Sequence, residues 1–400
     1  MLRVVLMVLI LGLLPAGPAA AQEGPGKTRI EIFGFAMMDM GYQAHQNDPA
    51  WFDVVRPTKL PSFENEFGAD GQFFMGVRQS RFGVRTESRT SLGTLKTIFD
   101  FDLFGMGANA GETTFHLRNA WGELGNFGAG RWWSSFVDID IFPNSIEFWG
   151  PNGMVLTRNV QLRWTPVRSE GSEFAVSIER PGGSADQGEY EAPIDLENMA
   201  TRFPYPDLAA HYRRSGSWGH VQVAGIVRRM EWVDQTEDSL ELGGGATGWG
   251  VNVTSNLKLG RLVAHLGGVY GEGVQNYMND APVDVAIELR PGDAVTPFVG
   301  VALPVVGVTA FLDVNWSDRY TSTIGYSRLQ VTNSSGQTLD AFRTGEYALA
   351  NILVHPLPEF YFGPEIQWAQ RKNNRDSFAS DDYRIQFSAK YSFSQKFGGQ

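Results

Sequence analysis

The sequence predicts an all-β protein, a transmembrane antiparallel β-barrel of about sixteen strands with a porin-like, inward-folded third loop. Three observations predict it. Apolar and polar residues alternate with a period of two along most of the chain. The alternating stretches commonly reach ten or more residues, the length a tilted strand needs to cross a bilayer. The connections between them alternate between very short and long, as short periplasmic turns and longer outer loops require.

The elements follow in chain order. Met1-Leu2-Arg3, the apolar run from Val4 to Leu14 and the small residues Ala19-Ala20-Ala21 have the three parts of a signal peptide, with cleavage expected after Ala21. The apolar run is too short to span a bilayer as a helix. Residues 22–28 form a short N-terminal segment and 29–400 the barrel. Strands are predicted near 29–44, 72–86, 93–104, 113–124, 127–134, 155–166, 173–181, 207–215, 218–232, 245–258, 261–271, 306–316, 320–332, 343–355, 360–371 and 382–397. An even count leaves both termini on the periplasmic side. Residues 296–303 also read as strand, but adding them to the barrel would break the even count.

The last strand shows the alternation most clearly. Tyr383, Ile385, Phe387, Ala389, Tyr391 and Phe393 share one face, and Arg384, Gln386, Ser388, Lys390 and Ser392 share the other. A soluble sandwich would also alternate, with its apolar face inside. Strand length, loop alternation and aromatics near strand ends favour the inverted, lipid-facing arrangement. Those aromatics are Tyr42, Trp121, Trp164, Trp218, Trp232, Trp316 and Trp368.

Composition narrows the function. The 400 residues include no Cys and 46 Gly, with 12% aromatic and 19% charged residues and a net charge of −11. A disulfide scaffold, a disordered chain and a collagen-like chain are excluded. The acidic balance argues against nucleic acid as a partner. His45, His116, His211, His220, His265 and His355 show no metal-ligand spacing. The run Gly243 to Gly248 lacks the Lys-Ser/Thr ending of a phosphate loop, and no nucleophile elbow is present. The pairs Asp100/Asp102 and Asp138/Asp140 read as wall and loop acids rather than a catalytic dyad. No enzyme activity, metal or cofactor is expected.

Arginine is the informative residue. If Phe82 and Val84 face lipid, Arg81 and Arg85 face the lumen. The same parity places Arg118 and Arg163 inside, because a charge on the lipid face would cost about 2–4 kcal/mol at mid-membrane. Arg78, Arg131 and Arg158 violate simple parity; the alternatives are that they sit at a rim or that a bulge near Gly130 re-aims Arg131. Ser135 to Met154 carries too many apolar residues for a solvated outer loop and is expected to fold inward. Its acids Asp138, Asp140 and Glu147 would then face the arginines across a narrowed pore. Arg56 and Lys59 are candidate cations of the mouth.

These residues resemble the DcaP-like trimeric outer-membrane porins, a family of dicarboxylate-type channels. The resemblance is carried by Gly34–Tyr42, Asn47–Pro61, Gly76–Val84, Leu117–Gly125, and Phe142–Ser145 with Trp149–Pro151. Trp316 and Ser322–Ser327 carry it further on. It implies a homotrimer in a Gram-negative outer membrane, surrounded by lipid and lipopolysaccharide, taking up small organic anions such as dicarboxylates. It also implies that Arg81, Arg131 and Arg158 line the constriction and that the third loop supplies acids. Two features depart from the family pattern: only Gln22 to Thr28 precede the first strand, and the sequence ends Phe397-Gly398-Gly399-Gln400 rather than on an aromatic. Two competing readings remain: a non-conducting structural or adhesive barrel, and a secreted β-rich binding protein or enzyme.

Overall fold

Successive hairpins fold the chain into an antiparallel meander whose last strand pairs with its first. The computed structural model describes residues 28–188, 199–236 and 239–398. The expected signal peptide and residues 22–27 lie outside the described residues.

Strand β1 (Arg29–Gln43) is followed by β2, which runs in two pieces (Gln72–Gly76 and Arg81–Thr90). Then come β3 (Gly93–Phe104), β4 (Thr113–Leu124), β5 (Phe127–Trp133), β6 (Arg158–Arg168), β7 (Ser172–Glu179) and β8 (Asp207–Gly216). The second half comprises β9 (Gly219–Asp234), β10 (Gly244–Leu259), β11 (Leu262–Glu272), β12 (Pro304–Ser317) and β13 (Tyr320–Val331). It ends with β14 (Phe342–Leu357), β15 (Phe360–Asn373) and β16 (Ala379–Phe397). β16 pairs with β1 from Ile30↔Phe397 to Gln43↔Arg384, closing a sixteen-stranded barrel with no free edge.

The burial pattern inverts that of a soluble protein. On β15 and β16, Ile366 and Ile385 are 58% and 53% exposed, whereas their neighbours Gln367 and Gln386 are 1% and 0% exposed. Apolar side chains therefore face outward, to lipid, and polar ones pack within. Tyr42, Trp164, Trp218 and Trp316 are exposed, as girdle residues must be. Trp121 and Trp232 are not girdle residues. Trp121 is buried against Trp132, and Trp232 donates its indole N–H to the Leu242 carbonyl.

Phe298–Ala302 is a strand, yet the barrel count stays even. It pairs with Val285–Leu289, which in turn pairs with Ala185–Asp186, so this small sheet belongs to the outer loops. The interruption of β2 also has a cause. Arg78 turns inward there, ion-pairs with Asp53, donates to the Glu112 carbonyl (3.1 Å) and stacks 3.9 Å from the Phe104 ring centroid. It therefore ties the first and second outer loops to the wall.

Candidate functional site

The third loop, between β5 and β6, folds into the lumen because its backbone and side chains find partners on the inner wall. Gln222 and Asn252 donate to the carbonyls of Val137 (3.1 Å) and Phe136 (3.0 Å). Farther along, Thr323 and Asn351 donate to the Asn144 carbonyl (3.1 and 2.8 Å), and Glu365 accepts from Ser145 and the Ile146 N–H. At Gly153 the loop lies so close to β12 and β13 that a Cβ would sit 2.3 Å from the Arg328 carbonyl oxygen. The apolar residues that were too numerous for a solvated loop are covered: Phe136, Ile141 and Ile146 are buried. The loop thus occupies the β8–β16 side and leaves the lumen open toward β2–β6.

The remaining space is a polar cavity of about 600 Å³. Arg81, Arg85, Arg118, Arg131, Arg158 and Lys390 line it, together with Asp100, His116 and, from the loop, Phe142, Glu147, Phe148 and Trp149. Gly130 adopts φ 121°, and the following Arg131 reaches the cavity against strand parity. Arg158 reaches it at the junction where the loop re-enters the wall. There its Nε donates to Asn119 Oδ1 (3.1 Å), and its guanidinium lies 3.4 Å from the Trp133 ring centroid.

The cations are held largely by aromatic rings rather than by acids. Arg81 and Lys390 lie over Phe35, at 5.2 and 4.0 Å, and Arg85 over Phe33, at 3.9 Å. Arg118 is paired with Asp102, and Arg85 lies 3.6 Å from Glu31. Among the described residues, Arg81, Arg131, Arg158 and Lys390 have no carboxylate within ion-pair distance. A ring stabilises a cation without cancelling its charge, so the cavity keeps an excess of positive charge.

The loop acids are arranged differently from the expected acidic face. Asp138 is turned to the opposite wall, where it accepts from His220 (2.7 Å) and Thr254 (2.6 Å). Burial opposes its ionisation, but these bonds and nearby Arg213 hold its carboxyl below the usual range. Asp140 pairs with Arg213. Glu147 borders the cavity, but its carboxylate is buried and accepts from the backbone N–H of Val55 (3.2 Å) and Gly150. Burial pushes its carboxyl up to about 7, against the opposing pull of Arg384. The acids of this loop are therefore engaged as anchors rather than presented to the cavity as a free acidic face.

Three other expected cations have local partners. Arg163 is not among the residues that line the cavity; it donates to the Trp133 carbonyl and to Gln161 Oε1 (3.1 Å), with its guanidinium 5.7 Å from the Trp121 ring centroid. Arg56 sits between the rings of Trp51 and Trp149 (4.2 and 3.9 Å) and pairs with Asp280 at 2.8 Å. Lys59 lies 3.5 Å from Asp48. Lys390 was visible to parity as an inward residue, but nothing in the sequence placed it beside Arg81. Only the closure of β16 on β1 does that.

A lipid-facing barrel whose lumen is narrowed by its own third loop defines a porin-type channel of the outer membrane. The model of the family described as DcaP outer membrane protein matches residues 24–266, and the chain belongs to that family. Among solved structures, the outer membrane channel DcaP of Acinetobacter baumannii is similar with a TM-score of 0.76 and 18% identity, over 91% of this chain and 97% of that one. The anion-selective porin from Comamonas acidovorans is similar with a TM-score of 0.57 and 8% identity, over 92% and 100%. The trimer form of OmpT from Vibrio cholerae has a TM-score of 0.53 and 12% identity, over 92% and 99%. At such identities the likeness is one of fold. No curated protein matches the chain.

Proposed function

We propose that the chain is a passive diffusion channel that favours small organic anions, dicarboxylates among them, and works as a homotrimer after signal-peptide cleavage near Ala21. The observation that carries the anion preference is the set Arg81, Arg131, Arg158 and Lys390, which line one cavity with no carboxylate within ion-pair distance among the described residues, Asp100 being the nearby wall acid. A solute carboxylate entering there meets guanidinium and ammonium donors that are not already held in a close ion pair. Two carboxylates on one solute can engage two of these cations, which is the physical reason to place dicarboxylates among the favoured solutes.

Arg85 and Arg118 contribute less, because each has an acid beside it. Passage needs no cofactor, since the solute gradient drives it. The apolar belt is the surface for lipid, lipopolysaccharide and neighbouring protomers, and the trimeric neighbour supports the assembly. The test is reconstitution in planar bilayers under a KCl gradient, comparing wild type with Arg81→Ala and Arg131→Ala. The expected result is chloride preference that falls in both variants. Chloride preference unchanged in both would overturn the role of the arginines, and absence of open channels would favour a structural barrel.

A further inference from the structure

Two lumenal histidines hold the constriction loop through rings whose two nitrogens both face acceptors. His211 on β8 is buried, with Nδ1 3.1 Å from the Ser135 carbonyl in the loop and Nε2 3.1 Å from Glu173 Oε1 on β7. His265 on β11 has Nδ1 3.2 Å from the Asp140 carbonyl and Nε2 3.0 Å from Asp313 Oδ2 on β12. Carbonyl and carboxylate oxygens accept only, so both contacts are satisfied only by an imidazolium carrying N–H on each nitrogen. A neutral ring gives one of them up.

His220 on β9 is the internal contrast. Its Nε2 faces Asp138 at 2.7 Å, but its Nδ1 faces a donor, Arg213 Nη2, at 3.0 Å, so a neutral tautomer serves both. His265 has a partial substitute, because Asn256 Nδ2 lies 3.4 Å from its Nδ1 and can donate to the neutral ring. Among the described residues His211 has no such substitute. The charged groups around it are Glu173, itself 3.5 Å from Arg168 on β6, and Glu179 on β7, which accepts the Ser135 N–H at 3.0 Å. Around His265 they are Asp313 and Asp140, the latter held by Arg213 of β8.

We propose that His211, seconded by His265, is a proton-dependent latch holding residues 135–140 of the constriction loop against the wall. This rests on the reading of the chain as an open channel. The latch is complete while the ring carries a proton on both nitrogens and is lost when it gives one of them up. The bonds from Gln222 and Asn252 remain, so release enlarges the loop's excursions without expelling it.

The test uses the full-length protein in planar bilayers, with closing events counted from pH 5 to 8.5. Wild type is expected to close about fivefold more often at the alkaline end, the equilibrium factor of one hydrogen bond. His211→Gln, whose amide donates without titrating, is expected to flatten the profile, whereas His220→Gln keeps the wild-type rise. A flat wild-type profile, or a rise undiminished in His211→Gln, overturns the latch. Absence of channels in wild type instead overturns the channel reading beneath it. A second measurement needs no variant: amide exchange in 135–140, corrected for its intrinsic pH dependence, is expected to rise about fivefold between pH 6 and 8. No rise overturns the latch.

Discussion

Replacing Lys390 by Gln removes one cation from the constriction without removing an ion pair. The ammonium lies 4.0 Å from the Phe35 ring centroid and 5.4 Å from that of Tyr361. An anion passing at about 5 Å gains about 0.8 kcal/mol from one unit charge even at the dielectric constant of bulk water, and more between low-dielectric walls. That converts to a fall of about fourfold or more in anion over cation permeability. Screening shortens the reach of the charge to about 10 Å at 0.1 M salt, so the reversal potential is best read at or below that concentration. Arg163→Gln is the matched control, because it also removes a barrel cation but one that does not line the cavity and is held by the Trp133 carbonyl. A reversal potential unchanged in Lys390→Gln but shifted in Arg163→Gln would rule out Lys390 as a cation sensed by passing ions.

Three further outcomes follow from the same geometry. Glu147 has a folded value of about 7 against an ordinary 4.5, so wild type loses stability as pH rises between these values, by up to about 3 kcal/mol. Glu147→Gln is expected to flatten that loss when resistance to thermal unfolding in detergent is followed from pH 4 to 8, and an unchanged slope would count against it. Gly153→Val places a Cβ against the Arg328 carbonyl, so the loop lifts off the wall; single-channel conductance is expected to fall while the barrel still inserts. Ile366→Arg puts a charge on an outward position that is 58% exposed, at a cost of about 2–4 kcal/mol if it lies near mid-membrane, and is expected to reduce insertion into vesicles.

The barrel was legible because a period of two is a local signal. Each strand declares its lipid face, as Ile385 and Phe387 do against Gln386 and Ser388, and the turn residues set the hairpins. Parity likewise placed Arg81 and Arg118 inside. What the sequence hid depends on contacts between distant strands. Asp138 and Asp140 read as free loop acids until His220, Thr254 and Arg213, on three other strands, are seen to claim them. Lys390 meets Arg81 only because residues far apart in the chain close the barrel at β1. Residues 296–303 had the right pattern for a strand, but pattern does not say which sheet a strand joins.

The proposed anion preference rests on cations that gather in one cavity with no acid at ion-pair distance. The sign of the wild-type reversal potential in a KCl gradient tests it most directly. The sign of a chloride-preferring pore is expected, and a potassium-preferring pore would rule out that role for these cations.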